Sequence, residues 1–328
     1  MRRALPVVGA QLRADDQLIV VDNDSCDGTA EAVRELAPGA IVIETGSNLG
    51  FAAASNRGAA AATADLLVFL NPDATPAAGF REAIERPLLD GRGWAAWQGL
   101  VTAEGGRAVN SHGGVIHFTG LAWAGGAGEG LVAEPPTAEP GFVSGACLAI
   151  PRGRFERVGG FAAEFFLYHE DVDLSLRLRL AGGSLGVEPA ARVDHDYEFE
   201  KGPGKWRRLE RNRWATLIRT YPAALLALLA PALAATELAL VPISIAGGWF
   251  GQKAAAWVDL ARSLPSLWRE RRQIQATRAI GAGEFAGRLT PDLESPYLGP
   301  TGRSRVLRAA LRAYWFLTLA LLGGRGRS

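Results

Sequence analysis

The first 215 residues of this 328-residue chain predict an α/β fold, and residues 216–328 predict an apolar, basic helical tail. In the first part, short apolar runs alternate with helical segments between residues 18 and 73, an order typical of parallel strands joined by crossover helices. In the tail, Glu237 is the single charged residue between positions 222 and 251. We therefore predict two domains, 1–215 and 216–328.

The α/β prediction depends most on the apolar run 66–70, which is followed by Asn71, Pro72 and Asp73. An uninterrupted apolar run of this length indicates a strand that is buried on both faces of a sheet. Pro72 ends the strand because it cannot donate a ladder hydrogen bond. Asp73 therefore lies just past the carboxyl end of a strand, where open α/β sheets bind their ligands.

Turn residues and helix caps predict the other elements of the first domain. Thr29 follows a run of turn-forming residues and can cap a helix, which Pro38 and Gly39 end. In chain order we expect a helix within 2–14, a strand at 18–21, a helix at 29–36, a strand at 41–43, an alanine-rich helix that ends at 62, strands at 66–70 and 94–101, hairpins and a mobile loop between 113 and 136, and a strand at 147–150.

The segment 170–180 is compatible with two structures. Its leucines alternate with polar residues from Leu174 to Leu180, which is the periodicity of a strand. Its acidic start and the Gly182-Gly183 pair after its end are instead the charges and cap of a helix. If the segment is a helix, Asp173 can pair with Arg177 one turn later.

Charge is distributed unevenly along the chain. The formal net charge is +1, but the first 200 residues are strongly acidic and the remainder is strongly basic. An acidic front half argues against nucleic acid as a partner, whereas a basic, apolar back half indicates an anionic membrane surface. Ordinary solvated arginine faces are the alternative. Cys26 and Cys147 lack metal-ligand spacing, so we expect a reducing cytosol without structural disulfides, and we expect no secretion signal.

A series of short motifs follows the strands and loops of the first domain. In chain order they are Val20-Val21-Asp22-Asn23 with Ser25 and Asp27-Gly28, then Asn48-Leu49-Gly50-Phe51, Asn71-Pro72-Asp73, Ser144-Gly145-Ala146, Gly159-Gly160-Phe161 and the run from Phe165 to Leu174. In this order they resemble the family-2 inverting glycosyltransferases, and most of all the rhamnosyltransferase-like branch that builds bacterial surface polysaccharides. The resemblance covers residues 5–215 and implies a GT-A-like fold with a mostly parallel central sheet and flanking helices. It also favours the helix for residues 170–180.

The resemblance implies a role for each motif. Asp171 matches the general base that deprotonates the acceptor hydroxyl, and Glu170 would orient the acceptor or tune that base. Asp73 and His195 would hold Mg²⁺ or Mn²⁺ against the donor diphosphate. The nucleotide-sugar residues would be Asp22, Asn23, Asp27, Asn48, Gly50, Phe51 and Asn71, and the acceptor side would be Ser144, Gly145 and Ala146.

Simpler roles remain open for some of these residues. Asp22 can accept a hydrogen bond within its own turn, and Glu170 and Asp171 can complement a helix dipole. His195 is flanked by two acids and lacks the Gly/Ser-rich neighbours that are usual in the family, which leaves metal ligation open.

The resemblance implies metal-dependent, inverting transfer of a sugar from a nucleotide diphosphate, with dTDP-rhamnose as the first expectation, to a polyprenyl-linked glycan. A polyprenyl-phosphate sugar synthase would share the fold and the tail. A degenerate, non-catalytic homologue is the other alternative. The family's first strand is absent, which predicts an unpaired edge on each of two strands, and we expect a native protein that is longer by one strand.

The tail is expected to lie on the cytoplasmic face of the cell membrane. Prolines interrupt the apolar stretch 222–251, and the second apolar stretch, 313–322, is too short for a confident span. If both stretches crossed, the basic segment 252–308 would lie outside, against the positive-inside tendency. We therefore predict a peripheral or monotopic tail, in which Trp257 and Trp268 share an apolar helix face away from Lys253 and several arginines. A soluble helical domain is the alternative.

Overall fold

The structure, a computed structural model, describes residues 1–131, 139–195, 204–294 and 304–323. The loop predicted around Pro135 and Pro136 lies outside these residues. The chain divides into two compact units. The first unit contains Met1–Gly114, Ala124–Leu178 and Gly183–Phe199, and the second contains Val115–Trp123, Arg179–Gly182 and Glu200–Ser328. The domain boundary at residue 215 stays a prediction.

Helices and strands alternate from the N-terminus to Leu70, and the region from there to Asp194 contains further strands and helices. The helices are α1 (Ala4–Gly9), α2 (Thr29–Leu36), α3 (Gly50–Ala61), α4 (Phe80–Leu89), α5 (Arg152–Arg157) and α6 (Glu170–Leu180). The strands are β1 (Ile19–Asp22), β2 (Ile41–Glu44), β3 (Leu66–Leu70), β4 (Thr75–Pro76), β5 (Ala96–Ala103), β6 (Ala108–Ser111), β7 (Gly114–Ile116), β8 (Ala122–Ala124), β9 (Cys147–Pro151) and β10 (Leu185–Asp194). The predicted elements of this region are confirmed within a few residues at their ends.

The strands form one larger mixed sheet and two pairs. The larger sheet has the order β3-β9-β5-β10-β4, with β6 beside β5, while β1 pairs with β2 and β7 pairs with β8. The pairs β1/β2 and β5/β10 are parallel, but β3 runs antiparallel to β9, as β9 does to β5. The larger sheet is therefore mixed and not mostly parallel as predicted. The local alternation of elements could not reveal this, because β3 pairs with a strand from much later in the chain.

Strand β3 lies at an edge of the larger sheet. Among the described strands it pairs with β9 alone, and β1 pairs with β2 alone, so each has the unpaired edge that the sequence predicted. Leu67 is buried, but Val68 is 40% exposed. The prediction that this run is buried on both faces is therefore wrong at Val68. The end of the strand at Leu70 agrees with the sequence prediction and places Asn71 and Asp73 beyond it.

Helix α6 lies in the interior of the first unit. Its leucines are buried, and so are the polar residues between them, including Asp173 and Arg177. The Arg177 Nε donates a hydrogen bond of 2.7 Å to Asp173 Oδ2, which is the i, i+4 pair that the sequence predicted. The choice of helix over strand for this segment is thus confirmed.

The second unit is helical. Its helices are α7 (Lys205–Thr220), α8 (Ala223–Ala246), α9 (Phe250–Ala276), α10 (Ala282–Ala286) and α11 (Arg305–Leu321). Within the described residues, α8 alone is long and apolar enough to cross a membrane, and only 17% of its most apolar window is buried in the protein. By itself this is weak evidence for a span.

Helix α9 fits the predicted faces only in part. Trp257 and Trp268 are exposed, as expected for an interfacial helix, but Lys253 and Arg271 are buried. The reason is that the buried cations find polar partners on neighbouring helices. The Lys253 Nζ lies 2.6 Å from Glu210 Oε2 of α7. An apolar residue at position 253 would leave the Glu210 carboxylate without this contact.

Candidate active site

Asp73 and His195 meet beyond the carboxyl ends of β3 and β10. The His195 Nε2 lies 3.0 Å from Asp73 Oδ1, and the Asn71 Nδ2 lies 3.5 Å from the same ring nitrogen. His195 is buried, whereas the Asp73 side chain is 48% exposed and can reach a ligand from solvent. The two residues predicted to hold a metal ion are therefore neighbours, although they are 122 positions apart in the sequence.

The backbone of His195 is fixed by two neighbouring strands. Its N–H donates to the Thr102 carbonyl at 2.8 Å, and its carbonyl accepts from Asn110 Nδ2 at 2.8 Å. These contacts fix the position from which the ring extends toward Asp73. Sequence reasoning missed Asn110 because a lone asparagine in a short strand gives no signal of its distant partner.

A carboxylate oxygen and an imidazole nitrogen at this separation fit a divalent cation such as Mg²⁺ or Mn²⁺. Within the described residues, no group of three or more His, Cys, Asp or Glu side chains could enclose such an ion. Asp73 and His195 can therefore supply only part of a ligand shell, which phosphate oxygens and water would complete. This is the usual arrangement for Mg²⁺ bound with a phosphorylated substrate.

The first two predicted nucleotide loops are joined by hydrogen bonds. The Asn23 Oδ1 accepts from the Leu49 N–H at 2.8 Å, and its Nδ2 donates to Asn48 Oδ1 at 3.1 Å. Asp22 is buried, and its Oδ1 accepts from the Ser25 N–H at 2.9 Å, which is the turn role that the sequence left open. The contacts build one rigid rim from two loops.

Two other predicted nucleotide residues have structural contacts. The exposed Asp27 carboxylate accepts hydrogen bonds from the N–H and hydroxyl of Thr29, and the hydroxyl bond is the main cause of its lowered pKa. The Phe51 ring packs edge-on against Phe161 at 5.7 Å between centroids. The nucleotide-binding roles of Asp27 and Phe51 remain predictions.

The segment Ser144-Gly145-Ala146 connects the predicted base to the metal pair. The Gly145 N–H donates to Asp171 Oδ2 at 3.2 Å. The Ala146 carbonyl accepts from the Asn71 N–H at 3.1 Å, just before Asp73 in the chain. The predicted acceptor side, base and metal pair are therefore neighbours within one unit.

Gln98 positions this segment and was missed in the sequence analysis. It is fully buried in β5, and its Oε1 accepts from the Ser144 N–H at 2.9 Å. Its Nε2 donates to the Gly99 carbonyl at 3.1 Å. A buried amide must find hydrogen-bond partners, so a glutamine inside an otherwise apolar strand was the available signal.

Burial raises the pKa of both carboxyl groups at the start of α6. The pKa of Glu170 is raised well above its ordinary value by burial and then by the charge of Asp171. Burial also raises the pKa of Asp171, against the lowering effect of hydrogen bonds from Gly145 and Val172. The Glu170 Oε2 has no hydrogen-bond partner among the described residues. A buried carboxylate with a raised pKa is a stronger base than an exposed one.

The backbone before α6 is strained. Phe166, Tyr168 and His169 have φ values of 64°, 73° and 67°, in the left-handed region that non-glycine residues rarely adopt. Each costs on the order of 1 kcal/mol, and such residues cluster at functional sites. The Phe166 carbonyl accepts from the Ala52 N–H at 3.3 Å, so the strained segment is tied to α3. No local pattern in the sequence predicts it.

Comparison with known proteins shows the family from sequence and the fold from structure. The family model for Glycosyl transferase family 2 matches residues 2–119. An N-acetylglucosaminyl-diphospho-decaprenol L-rhamnosyltransferase of Mycobacterium tuberculosis is 32% identical over 56% of this chain and 68% of its own length. A pre-mycofactocin glycosyltransferase of the same organism is also 32% identical, over 46% of this chain and 31% of its own length.

One solved structure shows the fold. The crystal structure of GalNAc-T7 with UDP, GalNAc and Mn²⁺ aligns with a TM-score of 0.50 and 17% identity, over 65% of this chain and 44% of that one. At this identity the likeness concerns the fold alone. It agrees with the GT-A-like α/β architecture that the motifs predicted, whose central sheet is mixed.

Proposed function

The chain belongs to glycosyl transferase family 2 and is of the rhamnosyltransferase-like type, and from this premise we propose that it transfers a sugar from a nucleotide diphosphate to a polyprenyl-linked glycan, with inversion at the anomeric carbon. We infer rhamnose, carried by dTDP, as the first donor to test, because the rhamnosyltransferase relative shares about a third of its aligned residues with this chain.

The observation that carries the proposal is the 3.0 Å contact between His195 Nε2 and Asp73 Oδ1, connected through Asn71 and Ala146 to the Asp171 carboxylate. A glycosyl transfer needs a charged site for the leaving diphosphate and a base for the acceptor hydroxyl. The two groups belong to one hydrogen-bonded assembly, which supports their acting on the two ends of one reaction.

In the proposed reaction, Asp171 accepts the proton of the acceptor hydroxyl as that oxygen attacks the anomeric carbon from the face opposite the leaving diphosphate. The attacking oxygen forms the new glycosidic bond. The bond between the anomeric carbon and the diphosphate oxygen breaks, and its electron pair leaves with the diphosphate. The raised pKa of Asp171 favours proton capture. Burial and the charge of Asp171 raise the pKa of Glu170 and so favour its neutral form, which could donate a hydrogen bond to the acceptor.

Asp73 and His195 would hold the divalent cation, and that ion would supply charge stabilisation for the departing diphosphate. Asp22, Asn23, Asn48 and Gly50 form the rim that would bind the nucleoside, since their loops are tied together by the Asn23 amide. Asp73 is exposed enough to accept a ligand without rearrangement of the sheet.

Calorimetric titration of the purified chain with dTDP, UDP and GDP, with and without Mn²⁺, tests the site. We expect one nucleotide to bind more tightly with the metal. Asp73→Asn should weaken that binding about 10- to 100-fold, as expected for the loss of one charged contact. Asp65→Asn is the matched control, because this 98% exposed carboxylate lies at the other end of β3.

Equal binding by Asp73→Asn and the unsubstituted chain would contradict the metal-site assignment. Binding that no metal affects would contradict metal dependence. The acceptor is tested separately with lipid phosphate and with lipid-linked glycan, because a polyprenyl-phosphate sugar synthase would use only the first.

We also propose that the helical unit holds the protein on the cytoplasmic face of the membrane, in a peripheral or monotopic manner. Support comes from the apolar surface of α8 and from the basic character of the chain after residue 200. A lipid-linked acceptor would be presented at such a surface.

A further inference from the structure

A pocket in the helical unit has three arginines among its six lining residues. It has a volume of about 420 Å³ and brings together the first residue of α8 and the C-terminal end of α9. Its lining residues are Ala223, Trp268, Arg271, Arg272, Gln275 and Arg278.

The three arginines of this pocket have no carboxylate partner in the part of the chain that the structure describes. Glu270 is next to Arg271 in sequence, but it pairs with Arg219. The pKa of Arg271 is lowered by burial and further by the charge of Arg278. A partly buried guanidinium beside a second cation is unfavourable unless an anion neutralises it.

Arg271 also has a structural role, which explains only part of the cluster. Its Nη1 donates to the Ile218 carbonyl at 2.6 Å and to the Tyr221 carbonyl at 2.7 Å, so it caps the C-terminal end of α7. Arg272 and Arg278 are exposed and make no such side-chain contacts with described residues. Helix capping therefore accounts for Arg271 and leaves two arginines at the pocket without a structural function.

The pocket lies at one end of a long apolar surface. Helix α8 begins at Ala223 and runs for 24 residues, about 36 Å at the rise of an α-helix. Near the pocket its exposed residues are alanines, Ala224, Ala227 and Ala230. Its large exposed apolar side chains, Leu238, Ile243 and Ile245, lie about 23–33 Å further along the helix. A pocket that contains arginines at the start of an apolar helix complements a molecule with an anionic head and a hydrocarbon tail.

We propose that this pocket binds the phosphate group of a membrane lipid. Arginine suits this ligand because its planar donors match phosphate oxygens in a bidentate geometry. Trp268, half-exposed at the pocket, is a residue type enriched where membrane and water meet. The proposal concerns a different site from the nucleotide site and does not depend on the transfer reaction.

The test is sedimentation of the full chain with phosphatidylcholine vesicles, with and without phosphatidic acid. The pocket variant is Arg272→Glu with Arg278→Glu. The control is Arg262→Glu with Arg269→Glu, which makes the same charge change at exposed positions of α9 outside the pocket. We expect the pocket variant to bind phosphatidic acid vesicles at least about tenfold more weakly than the control. Binding to neutral vesicles should be equal in both.

If the pocket variant and the control lost binding to phosphatidic acid vesicles equally, the proposal would be overturned, because the binding would then reflect a general electrostatic attraction and not the pocket. Calorimetry with inorganic pyrophosphate separates a lipid from a soluble ligand. If pyrophosphate bound through Arg272 and Arg278 while the pocket variant and the control bound vesicles equally, the ligand would be a free phosphate and the lipid assignment would be wrong. The milder pair Arg272→Gln with Arg278→Gln repeats the comparison if the charge reversal unfolds the chain.

Discussion

Glu170 and Asp171 are adjacent in the chain, but their surroundings favour ionisation of one carboxyl group over the other. Only Asp171 accepts a backbone hydrogen bond from another segment, through Gly145, and this bond favours its ionised form. Glu170 has an oxygen without a hydrogen-bond partner in the described region, and its pKa is raised further by the neighbouring charge. These contacts favour the ionised form at Asp171 over Glu170, which supports the assignment of Asp171 as the base.

Gly50 should be intolerant of any side chain. Its φ is +79°, and a Cβ at this position would lie 2.5 Å from both the ring and the carbonyl oxygen of Phe166. We expect Gly50→Ala to lower the free energy of unfolding by about 2–4 kcal/mol, from backbone strain plus overpacking. The measurement is urea denaturation followed by circular dichroism.

Gly46→Ala is the matched control for this substitution. Gly46 also has a positive φ, of +70°, but a Cβ there meets no atom within 4 Å. Gly46→Ala should lower the free energy of unfolding by only about 1 kcal/mol, because it adds backbone strain without overpacking. Equal effects of the two substitutions would show that the contact with Phe166 does not constrain the loop.

At the residue scale, the sequence predicts contacts within motifs better than contacts between them. The Asx turn of Asp22 and the pair Asp173–Arg177 involve near neighbours in sequence, and both are present. Gln98 and Asn110 have partners 46 and 85 residues away, so no local pattern could reveal their roles. The proximity of Asp73 and His195 was expected only through the family resemblance.

At the element scale, α6 shows why periodicity alone left two structures open. Leucines at every second position indicate a strand, whereas this helix is buried around its whole circumference. Its buried surface includes polar residues such as Asp173 and Arg177, which pair with each other, so the helix lacks the one-sided apolar stripe of an amphipathic helix. The end signals, namely the acidic first turn and the glycines after the last one, favoured the helix, and the family resemblance decided between the two structures.

Helix α8 carries one carboxylate, Glu237, which joins a buried ionic cluster. The cluster contains Glu210 and Arg213 of α7, Glu237 of α8 and Lys253 of α9. The Lys253 Nζ lies 2.9 Å from Glu237 Oε2, and Arg213 also contacts this carboxylate. Burial would raise the pKa of Glu237, but the charge of Arg213 and hydrogen bonds from Lys253 and Trp214 outweigh it and lower the pKa to about 2.

Glu237→Gln should destabilise the helical unit at neutral pH. It leaves two buried cations with one carboxylate, and we expect a loss of about 2–4 kcal/mol in the free energy of unfolding. Asp259→Asn is the control, because it removes a more exposed carboxylate that pairs with Arg207 and should cost about 1 kcal/mol or less. Chemical denaturation of each variant measures both values.

The pH dependence follows from the direction of the Glu237 shift. Because its folded pKa is depressed, its contribution is present above the ordinary carboxyl pKa and is lost as the pH falls toward about 2. Glu237→Gln should therefore flatten the acid limb of stability against pH. An acid limb as steep as that of the unsubstituted chain would contradict the ionic role of Glu237.

At the scale of the whole molecule, the two units differ in charge and in exposed apolar surface. Leu238 of α8 is 74% exposed, and the described part of α11 exposes Phe316 and Leu321 as well. We expect Leu238→Asp to reduce binding to anionic vesicles about tenfold or more, since an acid would have to enter the interface. Leu89→Asp, at a 71% exposed leucine of the first unit, should have little effect. If Leu238→Asp and Leu89→Asp changed vesicle binding equally, the exposed surface of α8 would not be the membrane contact.

The most direct test of the proposed reaction is sugar transfer to a polyprenyl-diphosphate-linked acceptor by the full chain and by two variants. Asp171→Asn and Glu170→Gln make the same chemical change at adjacent positions. Loss of a general base predicts a decrease of about 10²–10⁴-fold in turnover for Asp171→Asn, with nucleotide binding unchanged. Glu170→Gln should retain most of the activity, because burial and the charge of Asp171 raise the pKa of Glu170 and favour the neutral form that glutamine mimics. Undiminished turnover by Asp171→Asn would contradict the account.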